Sequence, residues 1–345
     1  MTRSSVSVAT LAFFLAATSS IAAQAGDVRY QLTQIVPDAP TSSILAFDLN
    51  NRDQVVGNIQ DVNGRARPFT WRNGTLTDLG PLVAEGSPQS RGIGLNDHGD
   101  IVGFFLETQN FTGVTFLLSR KGEVTHVDGL PGATDTGPQD INDRGQILAL
   151  SSFEDGSSQS FISEDGNAMP LPPLAGDTSA TAAALNERGD ALGTSVGATG
   201  HVVIWEDGAP VDLNVPRGIP RDLNDREQVV GTLSSSQGSS GFLWERGTVT
   251  QLPSLDGAVR TQAVSINNAA EIVGQSALDS GPLATLWKDE QVFDLNDLIL
   301  GSDPQQPFVH LETADLINDR GAIVATGRDS RFPSELRTYL LTPVL

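Results

Sequence analysis

A nine-residue pattern recurs seven times along this chain and constrains its fold more than any other feature. Each copy ends one apolar stretch with Leu or Ile followed by Asn, continues through a short polar turn, and enters a second apolar stretch. The seven Asn residues are Asn50, Asn96, Asn142, Asn186, Asn224, Asn267 and Asn318. Their spacing of 38 to 51 residues is typical of a repeat architecture built from small sheets, such as the blades of a propeller.

Two further apolar segments follow each copy in a fixed order. The third segment carries an aromatic or aliphatic core, as in RPFTW at 67–71, and the fourth resembles TLTDL at 75–79. The fourth is missing after the last copy, but YQLTQI at 30–35 offers a matching segment at the other end of the chain. Sharing a blade between the two ends removes the free sheet edges. The sequence therefore predicts an all-β fold, a seven-bladed β-propeller of four-stranded blades whose last blade is closed by the N-terminal strand.

The repeated Asn suits a hairpin turn. An Asn side chain can accept a hydrogen bond from the backbone two residues ahead, and Gly supplies a positive φ. Gly occupies the later turn position in four copies, at Gly99, Gly145, Gly189 and Gly321, whereas Asp53, Glu227 and Ala270 replace it in the others, where a different turn is an alternative. Because all seven copies keep the Asn, we expect a structural role for it and not a ligand contact.

Four tryptophans occupy the same place in the third segment of four repeats: Trp71, Trp205, Trp244 and Trp287. Such a position is expected in the core between adjacent blades, where each large side chain stabilises the fold by roughly 1.5–3 kcal/mol.

The first 25 residues have the pattern of a secretory signal peptide. Arg3 precedes an apolar run, and Ala23 and Ala25 form a small-residue cleavage site before Gly26. No later run is long enough for a transmembrane helix. We therefore expect residues 26–345 to form one exported domain, secreted or periplasmic. The chain contains no Cys, which excludes disulfides and thiolate metal sites.

The chain is strongly acidic, with a formal net charge of −21 from 42 acidic and 21 basic residues. Such a field repels phosphate backbones and anionic lipid, so nucleic acid is not expected as a partner. Solubility is the plain interpretation of the charge. The alternative is a cation site among the carboxylates, with Ca²⁺ as the candidate cofactor.

Three stretches resemble the extracellular HAF-repeat family: INDRGQI at 141–147, FLW at 242–244 and NGTLTDLG at 73–80. The resemblance covers nearly the whole chain after the signal peptide. The His-Ala-Phe tripeptide itself is missing, and only His201 keeps the His. The resemblance implies a secreted or surface β-repeat protein and implies no established reaction.

Function is expected on the face of the loops that join blades and the loops between second and third strands, because these vary most between repeats. The long insertion at 296–313 marks that face, and the candidate ligand-binding residues there are His310, Glu312, Asp303 and Phe308. Asp61 and Asn63 resemble the start of a calcium loop and are the candidate metal ligands. Ser195 lies in a G-x-S-x-G match, but no helix follows it, and catalytic residues stay unassigned.

These features lead to two hypotheses. The first is a secreted, monomeric binding or scaffold module for a protein or carbohydrate ligand, with no catalysis evident. The alternative is a calcium-dependent hydrolase or lyase with an axial site on the loop face.

Overall fold

A computed structural model describes residues 28–36, 43–61, 63–83, 87, 89–107, 113–236 and 238–344. Within them the chain forms seven four-stranded antiparallel sheets, which confirms the predicted seven-bladed propeller. The expected signal peptide at 1–25 lies outside the described residues. Among the residues described, no helix has the length and hydropathy needed to cross a membrane.

The strands in chain order are β1 Arg29–Ile35, β2 Ser43–Leu49, β3 Val55–Gln60, β4 Ala66–Arg72, β5 Thr75–Asp78, β6 Ser90–Leu95, β7 Ile101–Leu106, β8 Gly113–Leu118, β9 Val124–His126, β10 Asp135–Ile141, β11 Ile147–Ser152, β12 Ser158–Glu164, β13 Asn167–Pro170, β14 Ser179–Leu185, β15 Ala191–Val196, β16 Gly200–Glu206, β17 Ala209–Asp212, β18 Gly218–Leu223, β19 Val229–Ser235, β20 Gly238–Glu245, β21 Thr248–Gln251, β22 Arg260–Ile266, β23 Ile272–Leu278, β24 Gly281–Lys288, β25 Gln291–Asp294, β26 Val309–Ile317, β27 Ile323–Asp329 and β28 Phe332–Val344. One short α-helix, α1, spans Gly80–Val83, and a 3₁₀ helix spans Leu295–Leu298.

Blades 1 to 6 are the consecutive groups β2–β5, β6–β9, β10–β13, β14–β17, β18–β21 and β22–β25. The first strand of each group, here called the inner strand, contributes residues to the cavity on the propeller axis. Blade 7 has the order β1-β28-β27-β26, with β1 paired to β28 from Arg29↔Val344 to Ile35↔Thr338. The N-terminal strand therefore closes the ring as its outermost strand, as the sequence predicts.

The insertion before β26 packs along the closing strand. The Leu300 amide donates to the Tyr30 carbonyl at 2.9 Å, and the Leu32 amide donates to the Asp303 carboxylate at 2.7 Å. The Gln305 side chain donates to the Leu32 carbonyl at 3.1 Å. The insertion thus occupies backbone groups that an outermost strand would otherwise leave unpaired.

Aromatic residues of the third strand fill the space between blades. Trp205 is fully buried, and its indole N–H donates at 2.7 Å to the carbonyl of Pro172 in the preceding blade. Trp287 makes the matching 2.7 Å bond to Pro253, and Trp244 bonds Leu213 at 3.0 Å. The expected position of these tryptophans between blades is confirmed.

The repeated Asn residues join all seven blades in a closed ring. In every copy the side-chain amide donates to the backbone carbonyl of the equivalent Asn in the next blade, at 2.9 to 3.3 Å. The last bond runs from Asn318 back to Asn50. The side-chain oxygen faces its own turn; in Asn142 it accepts the amides of Arg144 and Gln146 at 3.1 and 3.0 Å. One side chain therefore shapes the turn and ties it to its neighbour.

The three turns without Gly have the same backbone conformation as the others. Asp53, Glu227 and Ala270 have φ of 58°, 59° and 61°, in the left-handed region that Gly145 occupies at 77°. The alternative of a different turn in these copies is therefore wrong. The ring of Asn side chains explains why the turns are alike, because each turn must present the backbone carbonyl of its Asn to the Asn side chain of the preceding blade.

Replacing Asn142 with Ala should lower the free energy of unfolding by about 2–4 kcal/mol. The change leaves the Arg144 and Gln146 amides without their acceptor and removes one of the two hydrogen bonds to the Asn186 carbonyl. Unsatisfied buried groups cost about 1–3 kcal/mol each. Denaturant unfolding measures the effect, with the exposed Asn167→Ala as control. A loss no larger than that of the control would contradict the role of the ring.

Ala270→Gly should raise the free energy of unfolding by about 0.5–1 kcal/mol, because Gly relieves the strain of a positive φ. Gly145→Ala is the matched reciprocal, since a Cβ there meets nothing within 4 Å and only backbone strain is added. Thermal unfolding of both variants checks the pair. A shift of the same sign in both would show that strain at this turn does not govern stability.

Candidate axial site

A cavity of about 650 Å³ lies on the propeller axis. The six inner strands and β26, which is the inner strand of blade 7, line it from their middle to the Asn turns. It therefore lies at the end of the axis that carries the Asn turns. The expectation of an axial site on the opposite, loop-bearing face is wrong, because the lining runs from the middle of each inner strand to its Asn end.

Carboxyl groups dominate the lining. Eight acidic side chains and, among the described residues, one cationic side chain, Arg221, line the cavity. The acidic residues are Asp48, Asp97, Asp140, Glu187, Asp222, Asp225, Asp315 and Asp319. Three of them lie in the wall, four lie at the mouth, and Asp315 lies on a third level.

At the wall level, three Asp residues bridge neighbouring blades. Asp48 accepts its own blade's Leu49 amide and the Leu95 amide of blade 2, both at 2.7 Å. The Asp140 carboxylate bridges blade 3 to the Leu185 amide of blade 4 at 2.9 Å. Asp222 connects blades 5 and 6 through the Ile266 amide at 2.9 Å. Alternate blade interfaces are thus joined by a carboxylate.

Burial makes these carboxyls hard to ionise. Burial raises the pKa of Asp48 to about 7, with a further increase from the charge of Asp222, although the Leu95 and Leu49 amides oppose the shift. Burial also raises the pKa of Asp140 well above its usual range, and the charge of Asp48 adds to it. The pKa values of Asp222 and Asp315 are raised by burial as well. The wall can therefore hold protons near neutral pH.

The mouth is a second closed ring, formed by the residue after each Asn. Each backbone amide of this ring donates to the side-chain oxygen of the equivalent residue in the next blade, at 2.6 to 2.9 Å. Its members are Asn51, Asp97, Asp143, Glu187, Asp225, Asn268 and Asp319. Five carboxylates and two amides thus perform the same acceptor role, so the backbone tolerates either chemistry at this place.

Charge at the mouth is uneven. The second oxygens of Asp225 and Asp319 accept the Asn268 amide at 2.7 and 3.0 Å. Asp97 and Glu187 use one oxygen in the ring, and no described residue donates to their other oxygen. Burial raises the pKa of Glu187 to about 7, with further increases from the charges of Asp143 and Asp225. The side of blades 2 to 4 therefore presents free carboxylate oxygens.

A third set of seven residues, here called the bulge ring, lies deeper along the axis, on the side of the wall carboxyls that faces away from the mouth. Each inner strand has a register shift against its neighbour, and the residue skipped there lines the cavity. The members are Phe47, Ile93, Gln139, Ala183, Arg221, Val264 and Asp315. Four apolar residues make this level a partly hydrophobic girdle.

The predicted ligand-binding residues lie away from this cavity. His310 is exposed near the start of β26, and Glu312 pairs with Arg328 at 2.8 Å. Phe308 lies under the Arg331 guanidinium at 4.5 Å. Asp303 is 5% exposed and holds the closing strand, which is a structural role. A ligand site at these residues stays a prediction.

The predicted metal ligands form a turn. The Asp61 carboxylate accepts the backbone amides of Asn63 and Arg65 at 2.8 and 3.0 Å, and Asn63 is exposed. Within the described ranges, no group of three or more His, Asp or Glu side chains is arranged to hold a metal ion. Calcium at Asp61 and Asn63 stays a prediction without a third ligand.

Two other arrangements resemble catalytic constellations. His201 bonds Asp212 at 2.9 Å and lies 3.1 Å from the Thr199 hydroxyl. The nearby Gly197 amide is bonded to the Thr199 carbonyl and cannot serve as an oxyanion donor. Ser195 is fully buried and donates to Asp177 at 2.6 Å. We interpret both as structural hydrogen bonding.

The wall carboxyls were not among the residues predicted from the sequence, although a signal for them exists. Asp precedes the Leu-Asn or Ile-Asn pair in FDLN at 47–50, QDIN at 139–142 and RDLN at 221–224. The sequence therefore places this Asp in blades 1, 3 and 5. That the three carboxyls line one cavity could not be predicted, because it depends on the inner strands facing one another across the axis.

No protein-family model and no curated protein sequence matches this chain. Several solved structures are similar to it in fold. The β-propeller domain of the Trilobed protease from Pyrococcus furiosus is similar at 11% identity and a TM-score of 0.58, over 86% of this chain and 95% of that one. That domain is described as having an open velcro topology, whereas here β1 pairs with β28.

Two peptidases are also similar, and this chain spans about half the length of each. The Pyrococcus horikoshii acylaminoacyl peptidase shares 11% identity over 86% of this chain and 51% of its own, with a TM-score of 0.55. A puromycin-hydrolyzing peptidase of Mycobacterium tuberculosis shares 12% over 86% and 52%, with a TM-score of 0.54. At such identity the likeness establishes the propeller fold alone.

These comparisons correct the functional hypotheses. The prediction of a binding or scaffold module for a protein or glycan is wrong, as is its alternative, the calcium-dependent hydrolase or lyase on the loop face. The first rested on the lack of a catalytic motif, yet the similar propellers belong to proteins named as peptidases. A propeller assembles its axis from seven distant segments, so the lack of a local motif does not indicate a scaffold.

The free energy of unfolding should fall as the pH rises from about 4.5 to about 8, because the loss continues through the folded-state pKa values of about 7 of Asp48 and Glu187, and it should then level off. The wall carboxyls and Glu187 have folded-state pKa values above the ordinary ones, so the folded state binds extra protons below pH 7 and loses that stabilisation as they ionise. Denaturant unfolding at pH 5 and pH 8 measures the difference.

Asp48→Asn should reduce this difference by roughly 1–2 kcal/mol, because its raised pKa to about 7 is removed. The exposed Asp256→Asn is the control. An unchanged difference in Asp48→Asn would contradict the assignment of the pH dependence to the wall.

Proposed function

We propose that the axial cavity is the functional site of this protein and that it binds a small organic cation. The observation that carries the proposal is the lining: eight acidic side chains against one Arg among the described residues. The cavity volume of about 650 Å³ falls in the range of small-molecule sites, about 300–1,000 Å³. A concave, low-dielectric site of one charge sign focuses the field on ligands of the opposite sign.

The mouth ring and the bulge ring contact different parts of the ligand. The free oxygens of Asp97 and Glu187 offer hydrogen-bond acceptors to an ammonium or guanidinium group at the mouth. The apolar members of the bulge ring, Phe47, Ile93 and Val264, can contact the carbon body of the same molecule. An alkylamine therefore fits better than a bare metal ion, which would need several converging oxygen ligands.

Affinity for such a cation depends on pH through Glu187. Its pKa is raised to about 7, so its charge develops as the pH rises from about 6 to about 8. A cationic ligand favours the ionised form and lowers that pKa on binding. Binding therefore strengthens with pH over this interval.

We also propose that the protein is exported and that it is a HAF-repeat protein. The support for export is the signal-like pattern of residues 1–25, and the support for the family is the repeated INDRGQI-like and NGTLTDLG-like motifs. N-terminal sequencing of the protein recovered from its native source tests export. A mature N-terminus at Gly26 agrees with it, and an intact Met1 contradicts it.

Calorimetric titration with n-hexylamine, 1-hexanol and hexanoate tests the cavity. We expect hexylamine to bind, and the neutral and anionic analogues to bind more weakly or not at all. The double variant Asp97→Asn with Glu187→Gln should weaken hexylamine binding roughly five- to tenfold. Asn51 and Asn268 already occupy the equivalent places in the ring, so this variant is expected to fold.

The matched control is Glu206→Gln with Asp256→Asn, which removes two exposed charges outside the cavity. Its effect should be small, because exposed charges are screened by salt. Equal binding of hexanol and hexylamine, or equal losses in the two double variants, would overturn the proposal.

A further inference from the structure

The bulge ring contains one residue whose positive charge does not fit a site for cations. Arg221 lines the cavity on blade 5, beside Asp222. Its side chain is exposed and forms no hydrogen bond or ion pair with any residue in the described ranges. The neighbouring Asp222 carboxylate is occupied by the Leu223 and Ile266 amides and the Ser265 hydroxyl.

An Arg that lines a ligand-sized cavity and has no partner among the described residues can bind an anion there. Its planar guanidinium suits a carboxylate, which it can bind with two parallel hydrogen bonds. A simple anion would still have to pass the mouth carboxylates, which repel it. A molecule that carries a cation as well as a carboxylate satisfies both levels.

We infer that the cavity binds a linear zwitterion, a short peptide with free termini, whose ammonium group lies at Asp97 and Glu187 and whose carboxylate pairs with Arg221. This inference rests on the proposed function and specifies its ligand. The apolar bulge-ring residues Phe47 and Ile93 then contact the side chains of the peptide between its two charged ends.

The spacing of the two levels agrees with a ligand of this length. The bulge position and the mouth position are four residues apart in each repeat, as Arg221 and Asp225 are. At a rise of about 3.3 Å per strand residue, the levels lie at most about 13 Å apart along the strand. An extended dipeptide spans about 7 Å, and the long Arg side chain covers the remaining distance. A free amino acid is too short to reach both levels.

Three forms of one dipeptide separate the contributions of the two charges. The probes are leucyl-leucine, its C-terminal amide, which is only a cation, and its N-acetyl form, which is only an anion. We expect calorimetric titration to rank the free dipeptide roughly tenfold tighter than the amide, with the N-acetyl form weakest. Arg221→Gln should reduce dipeptide affinity to that of the amide and leave amide affinity unchanged.

Arg226→Gln is the matched control, since it removes the same charge from the same blade at an exposed position outside the cavity. Circular dichroism and thermal unfolding establish that both variants are folded. If the amide binds as tightly as the free dipeptide, or if Arg221→Gln affects both probes equally, the zwitterion inference fails and the proposed cation site stands. If neither cationic probe binds, the proposed function fails as well.

Discussion

The ring of Asn side chains is the interaction on which the rest of this structure depends. Each Asn accepts backbone amides of its own turn and donates to the carbonyl of the next Asn, and the seventh bond returns to the first. Because the bonds are buried and closed on themselves, no blade can shift along the axis without breaking two of them. The ring requires an identical turn in every blade, which explains why Asp53, Glu227 and Ala270 accept a positive φ.

Fixing the inner strands at one end determines the shape of the axis. The Asn ring joins the strands at that end, and the repeated bulge directs one extra residue of each into the cavity. Backbone geometry is therefore nearly sevenfold, but the side chains at the equivalent positions are not. Phe47, Arg221 and Asp315 occupy the same level with unlike chemistry, so the scaffold supplies the symmetry and the side chains supply the asymmetry that recognition of a ligand needs.

The wall carboxyls serve structure and chemistry together. Asp48, Asp140 and Asp222 join blades through backbone amides, and these bonds favour the ionised form. Burial opposes ionisation more strongly and raises all three pKa values, and charge repulsion adds to the increase at Asp48 and Asp140. Stability and cavity charge are consequently linked, since the pH range that charges the cavity for a cation is the range in which the fold loses stabilisation.

The amino-acid sequence by itself determined the blade count, the four-strand blade, the closure by the N-terminal strand and the structural role of Asn, because these follow from periodicity and local turn chemistry. It did not reveal the axial site. Asp48, Asp140 and Asp222 are more than 80 residues apart in succession, and only the circular arrangement of blades brings them to one wall. The structural role of the insertion at 296–313 was hidden for the same reason: its sequence shows a variable loop, and only the tertiary structure shows Asp303 and Gln305 holding the closing strand. Local patterns specify each blade, but the axis exists only after seven of them have closed.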